Sequence, residues 1–372
     1  MKKLSVILAC VLLLSLFVGC GGRTAPSAES PATGTPQTTA IPTATVPATA
    51  EPTTTAPTTV PTAEAPETAA PTTLPTTTAA PEPGDGNVHP MLFHVTGENG
   101  QELYLFGTIH VGDERTDVAL QKLTPFLDRC DALAVEFDIV AYEKDLAAQS
   151  QAMTMFFLTD GSTVDQYMPA ELFEQASKLL QKAKLYPSLM KYYNLSMWSQ
   201  LVEQAALLTT TKLDAKAGMD RLLIDYCYEK QIPVHDVESP ELQYGLLASF
   251  SDELNLLLIE NTLKSLDSYG AEVDALYSAW AGGDYDNIVS VLNGEDEEQA
   301  EGMTEAQQTL VADYNDKMLT QRNLGMRDKA VEWLTAGEKV FFAVGAAHLV
   351  DEGGLVELLR TAGYTVEQVK YG

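Results

Sequence analysis

The chain is poor in cysteine, histidine and positive charge. Its 372 residues include four cysteines, five histidines and 23 lysines and arginines against 52 acidic residues. No Cys-x-x-Cys pair is present, which argues against a zinc ribbon. A His-Glu-x-x-His helix is also absent, so a standard zincin is disfavoured, and neither a phosphate-cradling Gly-rich loop nor a Gly-x-Ser-x-Gly elbow occurs.

Basic residues remain scarce in the main part of the chain. Beyond Val88 there are 20 basic and 46 acidic side chains, a net charge of −26. Such a field repels nucleic-acid phosphates and anionic lipid surfaces, so no nucleic-acid partner is expected. The charge suits an exported soluble domain and concentrates cations around it, but it does not mark a site.

The first 22 residues form a targeting segment. Lys2 and Lys3 precede an apolar run of 15 residues, Leu4–Val18, which is shorter than the about 20 residues of a membrane-spanning helix. Small residues before Cys20 resemble a bacterial lipobox, although Phe17 replaces the usual leucine. We expect a lipoprotein signal peptide over 1–22, with lipidation of Cys20. This predicts a membrane-anchored protein whose domain faces the extracellular or periplasmic side. An ordinary secretory signal is the alternative.

A compositional change separates this segment from the rest of the chain. Residues 23–87 are dominated by Thr, Pro and Ala and show no helical or alternating apolar period. Such a segment cannot bury enough apolar surface to offset its ordering entropy, and proline favours extended conformations. We predict a disordered linker. Residues 88–372 are long enough for one large α/β domain.

The domain itself retains two cysteines, Cys130 and Cys227, because Cys10 leaves with the signal and Cys20 would carry lipid. Two thiols in an oxidising compartment can form one disulfide. A domain of this size does not depend on one, however. We therefore predict that both thiols are free and structural.

Two of the five histidines share one local pattern at opposite ends of the domain. The pattern begins with an apolar strand, which is followed by a glycine, two small or apolar residues and a histidine. It occurs at Leu103–His110 and again at Val340–His348. The glycines mark a tight turn or a close backbone approach where each strand ends. The repetition predicts that both strands deliver a histidine to a shared site.

A carboxylate occupies a comparable position in a third apolar segment. Ala132–Asp138 predicts a buried strand with Glu136 near its carboxyl end, and Gln231–Glu238 predicts another that closes on Glu238. A buried carboxylate is unfavourable unless it is paired, hydrogen-bonded or bound to a metal. In open α/β sheets, ligands gather beyond the carboxyl ends of the strands. Helical patterns dominate the middle of the domain, so two β-rich ends enclose a large helical insert.

These motifs resemble the TraB/GumN family, which includes the Tiki metalloproteases and bacterial lipoproteins. The resembling stretches are Leu105–Val111, Ala134–Asp138, Gly218–Asp220, Val237–Ser239, Tyr277–Asp284, Arg322–Asn323 and Phe342–Tyr364. Together they span nearly all of residues 91–372, and the paired Gly-x-x-His motifs are the most specific part. The resemblance implies an α/β fold similar to the erythromycin-esterase and ChaN-like group. It further implies a central β-sheet from two related halves, as in Tiki proteins.

The resemblance also implies metal-dependent cleavage of a peptide or protein substrate. Carried over to this sequence, the metal-binding roles fall on His110, Glu136 and His348. Two imidazoles and a carboxylate suit a divalent ion such as manganese, cobalt or zinc and leave coordination positions open. The alternative function is a non-catalytic module that sequesters a peptide, or haem as ChaN-like proteins do.

Four residues are candidates for catalytic roles: Glu136, Glu238, Arg322 and Asn323. Glu238 would be a fourth ligand or the base that accepts the proton of water. Arg322 would clamp a substrate carboxylate or a developing oxyanion, or else simply pair with one of the many acids. Asn323 is expected nearby, without a more specific role.

Overall fold

The computed structural model describes residues 88–186, 188–294 and 302–371, and only the backbone of residues 293 and 294. The predicted signal peptide, Cys20 and the linker therefore lie outside the described residues. Within the described ranges, no helix is both long enough and apolar enough to cross a membrane.

One mixed sheet forms the centre of the domain. Its strands are β1 (Leu92–Thr96), β2 (Glu102–Thr108), β3 (Ala132–Val135), β4 (Val234–Asp236), β5 (Val340–Gly345) and β6 (Thr365–Gln368). Their order across the sheet is β4-β3-β5-β2-β1-β6. Strands β4, β3, β5 and β2 run parallel to one another, whereas β1 is antiparallel to both β2 and β6. The predicted α/β class is therefore confirmed.

Helices account for most of the remaining described chain. They are α1 (Glu114–Leu127), α2 (Ile139–Tyr142), α3 (Leu146–Thr154), α4 (Ala170–Lys182), α5 (Leu195–Thr210), α6 (Met219–Lys230), α7 (Pro240–Ala248), α8 (Asp252–Lys264), α9 (Leu266–Gly282), α10 (Tyr285–Gly294), α11 (Glu305–Asn315), α12 (Gln321–Ala336) and α13 (Leu355–Thr361). A π-helical turn, Asp316–Thr320, joins α11 to α12. Most of the helices lie between β3 and β5, as the predicted helical insert requires.

The first two strands form a hairpin, as predicted. Strands β1 and β2 pair antiparallel with Leu92 opposite Phe106. Gly100 in the connecting turn has a φ of 81°, a conformation that favours glycine. The predicted glycine C-cap of α12 is also present, because Gly337 has a φ of 75° and its N–H bonds back to Leu334.

The centre of the sheet is buried on both faces by helices. On β5, Phe341 and Phe342 point into two separate hydrophobic clusters and are both fully buried. Full burial of each such side chain contributes roughly 1.5–3 kcal/mol. Strands covered on both faces read as continuous apolar runs, which explains why β5 shows no alternation in the sequence.

Two predicted strands are shorter in the structure than their apolar segments. β3 ends at Val135 because Asp138 caps the following helix, its side chain accepting from the Ala141 N–H. β4 spans only Val234–Asp236, lies at the sheet edge and pairs with β3 alone. Both shortenings place the carboxylates of Glu136 and Glu238 just beyond the strand ends.

Helix α5 forms the core of the helical insert. It is buried from Leu195 to Leu207 and packs against α4, α8 and α9. A helix that is buried on all sides loses the usual polar stripe. One of its buried polar side chains, Ser199, finds a partner on α8, where its hydroxyl donates to Asn255 Oδ1 at 2.8 Å. The two domain cysteines, Cys130 and Cys227, are free, as predicted.

The beginning of the described chain is integrated into the domain. Val88 is buried, and the His89 N–H donates to the Ala281 carbonyl at 2.8 Å. We expect a chain that begins at Val88 to unfold cooperatively within a few degrees of one that begins at Arg23, because 23–87 lack apolar periodicity. Thermal unfolding monitored by circular dichroism measures this. A clearly lower melting temperature for the shorter chain would show that the linker stabilises the domain.

Candidate functional site

Three predicted residues come together at the carboxyl edge of the sheet. His110, Glu136 and His348 follow β2, β3 and β5, which are neighbouring parallel strands. His348 Nε2 lies 3.7 Å from Glu136 Oε1. A Cβ on Gly345 would lie 3.4 Å from Glu136 Oε1 and 3.7 Å from His110 Nε2. The three side chains therefore surround one small space, which the missing side chain of Gly345 keeps open.

The imidazole of His348 is oriented by an asparagine. Its Nδ1 lies 2.6 Å from Asn323 Oδ1, and Asn323 Nδ2 donates to the Gly353 carbonyl at 2.8 Å. Because Asn323 uses its nitrogen there, Oδ1 is the acceptor and His348 Nδ1 carries the proton. Burial and the charge of Arg322 lower the pKa of His348 to about 3. The ring is thus neutral near pH 7, with the lone pair of Nε2 turned towards Glu136.

The imidazole of His110 is oriented by a carboxylate. Its Nδ1 lies 2.7 Å from Asp220 Oδ2, in the first turn of α6. Burial alone would lower the pKa of His110, but the negative charge of Asp220 outweighs it and raises that pKa above its usual value. An imidazole held through Nδ1 by an acceptor is the arrangement that orients metal-binding histidines. Asp220 was not predicted as a site residue, although it lies in the resembling stretch Gly218–Asp220.

Helix α6 also holds the loop that carries His110. The Met219 N–H donates to the Ile109 carbonyl at 2.7 Å. A Cβ on Gly218 would lie 2.3 Å from the His110 carbonyl oxygen, so only glycine allows this approach. On the other side, Trp280 Nε1 donates to the Gly107 carbonyl at 2.8 Å. Contacts with two helices, α6 and α9, therefore hold the backbone around His110 in place.

Replacing Gly218 by alanine should shift this loop. The added Cβ meets a backbone oxygen that cannot rotate away, so we expect a loss of about 1–3 kcal/mol in unfolding free energy. Gly245, inside α7, is the matched control because nothing lies within 4 Å of its Cβ position. Gly245→Ala should stabilise the protein by about 0.5–1 kcal/mol. Urea unfolding measures both, and equal effects would contradict the assigned close approach.

The two oxygens of Glu136 have different partners. Oε2 accepts from Arg322 Nη2 at 2.6 Å and from Gln243 Nε2 at 3.0 Å. Oε1 accepts from the Gly345 N–H at 3.0 Å and is the oxygen that faces His348. Burial would raise the pKa of Glu136, but the charge of Arg322 and the hydrogen bond from the Gly345 N–H hold it well below its usual range. The carboxylate is therefore ionised, with Oε1 turned towards the open space.

Glu238 binds Arg322 and does not line the cavity beside the histidines. Arg322 Nε lies 2.9 and 3.1 Å from the two Glu238 oxygens, and Nη2 lies 2.7 Å from Oε2. Arg322 Nη1 donates to the Met318 carbonyl, within the π-helical turn. Burial would lower the pKa of Arg322, but both carboxylates raise it. Gln243, which bridges Glu136 and Glu238, carried no signal in the sequence beyond a helical pattern.

A cavity of about 80 Å³ opens above these groups. Thr108, at the end of β2, lines it, and its buried hydroxyl has no hydrogen-bond partner within the described residues. Apolar side chains from α9, α10 and the π-helical turn also line it. The cavity thus combines polar groups from the strand ends, here called its floor, with apolar side chains from these helices, here called its roof.

The donor atoms of His348 and Glu136 lie close to the spacing that a divalent ion requires. No group of three or more His, Cys, Asp or Glu side chains in the described ranges is already gathered at metal-binding distances. Two ligands at about 2.1 Å from one ion lie roughly 3–3.5 Å apart. The separation of 3.7 Å between His348 and Glu136 therefore requires only a small adjustment. Two Nε2 atoms and one ionised carboxylate oxygen directed at one space fit such an ion chemically.

Comparisons with known proteins agree with the motifs. The TraB/PrgY/gumN family model matches residues 91–368. The chain is 25% identical over 268 residues to the uncharacterized protein YbaP of Escherichia coli (strain K12), which covers 72% of this chain and 90% of YbaP. The YbaP of Shigella flexneri gives the same identity and coverage. No solved structure matches. Because the family model covers most of the sequence, this chain belongs to the TraB/PrgY/gumN family.

Proposed function

We propose that this chain is an exported, lipid-anchored, metal-dependent hydrolase that cleaves peptides or protein termini. One observation carries the proposal. His110, Glu136 and His348 direct two Nε2 atoms and one carboxylate oxygen to the same space beside Gly345. Asp220 also holds the imidazole of His110 through its Nδ1, and Asn323 holds that of His348 in the same way.

The proposed roles follow from these contacts. A divalent ion, when bound, supplies a Lewis acid that polarises a carbonyl and lowers the pKa of water. His110, Glu136 and His348 would hold it, and Asp220 and Asn323 keep both rings in the binding orientation.

Glu136 and Arg322 form a unit within this proposal. Glu136 Oε1 is the oxygen positioned to bind the ion or to accept a proton from an attacking water. Arg322 uses its guanidinium on Glu136 and Glu238, so its proposed role is to keep Glu136 ionised and oriented. Glu238 acts through Arg322 by balancing its charge.

We also propose that the sheet derives from two related halves, in the manner of Tiki proteins. Strands β2 and β5 are parallel neighbours, and each is followed by a histidine three residues after a glycine. Thr108 pairs with Gly345, so the two motifs are offset by one residue across the strands. This placement supports a duplicated unit whose two ends contribute to one site.

The function is tested with a peptide library and purified protein. The protein is supplied with manganese, cobalt, zinc or no metal, and cleavage is followed by mass spectrometry. We expect cleavage with at least one of these ions and none after chelation. Cleavage unaffected by chelation would contradict the metal role. Tight retention of a peptide without cleavage would favour the sequestering module instead.

Membrane attachment through Cys20 is tested separately. Cys20→Ser removes the thiol that would carry lipid, so the variant should be released from membranes or remain unprocessed. Cys10→Ser, inside the apolar run, is the matched control and should stay membrane-bound. Fractionation followed by immunoblotting measures both variants. Unchanged membrane retention of Cys20→Ser would contradict the lipobox interpretation.

A further inference from the structure

The cavity above the strand ends has two chemically distinct sides. Its floor carries the histidines, Glu136 and Thr108, whereas its roof is built from helices. The roof residues are Leu276 and Trp280 of α9, Ile288 and Leu292 of α10, and Met318 of the π-helical turn. These side chains give the roof only aliphatic, aromatic and thioether surface, directly beside the proposed reaction centre.

The side chains of the roof offer no charge to a ligand. Trp280 Nε1, the one polar atom of the roof side chains, already donates to the Gly107 carbonyl. Arg322 lines the cavity, but its three nitrogens bond Glu136, Glu238 and the Met318 carbonyl. The charges of the floor belong to the proposed ion site, so a charged side chain packed against the roof would lose hydration without gaining a counter-ion there, which is costly.

The size of the cavity limits the occupant further. Its volume is about 80 Å³. An engineered apolar cavity of about 150 Å³ takes up benzene, so a cavity of roughly half that volume, which includes the space beside the histidines, holds at most a group of about three or four carbons. Valine and leucine side chains are of this size, whereas phenylalanine and tryptophan are larger.

We propose that this apolar roof, defined as Leu276, Trp280, Ile288, Leu292 and Met318, is a specificity pocket for a small aliphatic side chain next to the scissile bond. The inference rests on the proposed peptide hydrolysis and adds the substrate class. Burying an aliphatic side chain there contributes favourable binding in proportion to the area removed from water. One extra methylene in such a pocket changes kcat/KM by about 10- to 200-fold.

Leu276 is the residue through which the selectivity can be changed. It is partly exposed, whereas Trp280, Ile288 and Met318 are at most 2% exposed and belong to the core. Substitution of Leu276 should therefore leave the fold intact. Leu276→Asp places a carboxylate in the roof and should favour a basic side chain over leucine. Leu146, which is 75% exposed on α3, provides the matched control Leu146→Asp.

The experiment uses the full-length protein in detergent and peptides that differ at one position beside the cleaved bond. The variable residue is leucine, valine, alanine, phenylalanine, aspartate or lysine, and kcat/KM and equilibrium binding are both measured. We expect leucine and valine peptides to exceed aspartate and lysine peptides at least about tenfold in kcat/KM. In Leu276→Asp the leucine-to-lysine ratio should fall at least about tenfold, while Leu146→Asp should keep the wild-type ratio.

The outcomes separate this inference from the proposed function. Cleavage without preference, or a preference that Leu276→Asp leaves unchanged, overturns the specificity pocket and leaves the hydrolase standing. Selective binding of aliphatic peptides without cleavage supports the pocket and overturns the hydrolase. If the protein shows neither cleavage nor selective binding, both the specificity pocket and the hydrolase are overturned.

Discussion

Arg322→Ala is expected to lower the unfolding free energy by about 3–5 kcal/mol. Arg322 is the cation between two buried carboxylates, with Nη2 at 2.6 Å from Glu136 and 2.7 Å from Glu238. Both side chains are about one-tenth exposed or less. Removing one member of such a buried group leaves an uncompensated charge, which is far more destabilising than loss of a surface pair. Urea unfolding of the two proteins measures the difference.

Arg327→Ala is the matched control on the same helix. Arg327 pairs with Asp328, whose side chain is 69% exposed, so its loss should cost less than about 1 kcal/mol. Adding Glu238→Gln to Arg322→Ala should recover part of the stability, because one unpaired charge is then removed. If Arg322→Ala destabilises no more than Arg327→Ala, the proposed central role of the arginine is wrong.

Glu136→Gln is expected to reduce peptide hydrolysis by at least about 10²–10⁴-fold. The amide is a poorer metal ligand than the carboxylate and cannot accept a proton from water. Arg322 keeps Glu238 as a partner, so the variant should retain the circular dichroism spectrum of the wild type. Steady-state cleavage of the best peptide from the library, at saturating metal, measures the loss.

Glu102→Gln controls for a general effect of removing a carboxylate. Glu102 lies at the start of β2, where it contacts His94 and Lys339, away from the cavity. Its replacement should leave kcat/KM within about twofold of wild type, since no site group touches it. Comparable losses in the two variants, or full activity of Glu136→Gln, would contradict the role given to Glu136.

The positions of the strand ends could be predicted from the sequence because each strand is an apolar run that stops at a polar or small residue. That pattern identified the segments ending at His110, Glu136 and His348. The order of the strands could not be predicted in the same way. Strands β2, β3 and β5 are all largely apolar and buried, so nothing local specifies that β5 lies between the other two.

The supporting residues of the site were harder to predict than its centre. Asp220 and Gln243 belong to helices α6 and α7, where a polar residue in the first turn is ordinary. Only the packing of those helices on the sheet brings the side chains to His110 and Glu136. Similarly, Glu238 follows a strand in the predicted way, but its direction depends on Arg322, which is 84 residues further along the chain.

Metal binding by the purified protein shows whether His110 and His348 are ligands of one ion. Isothermal titration of wild type, His110→Ala, His348→Ala and His94→Ala with manganese, cobalt and zinc would determine stoichiometry and affinity. His94 is the control because it bonds Glu102 on the hairpin and does not reach the site. We expect one ion per chain for wild type and His94→Ala, and a severe loss of affinity in the other two variants. Wild-type affinity in His110→Ala and His348→Ala would contradict this assignment of the ligands.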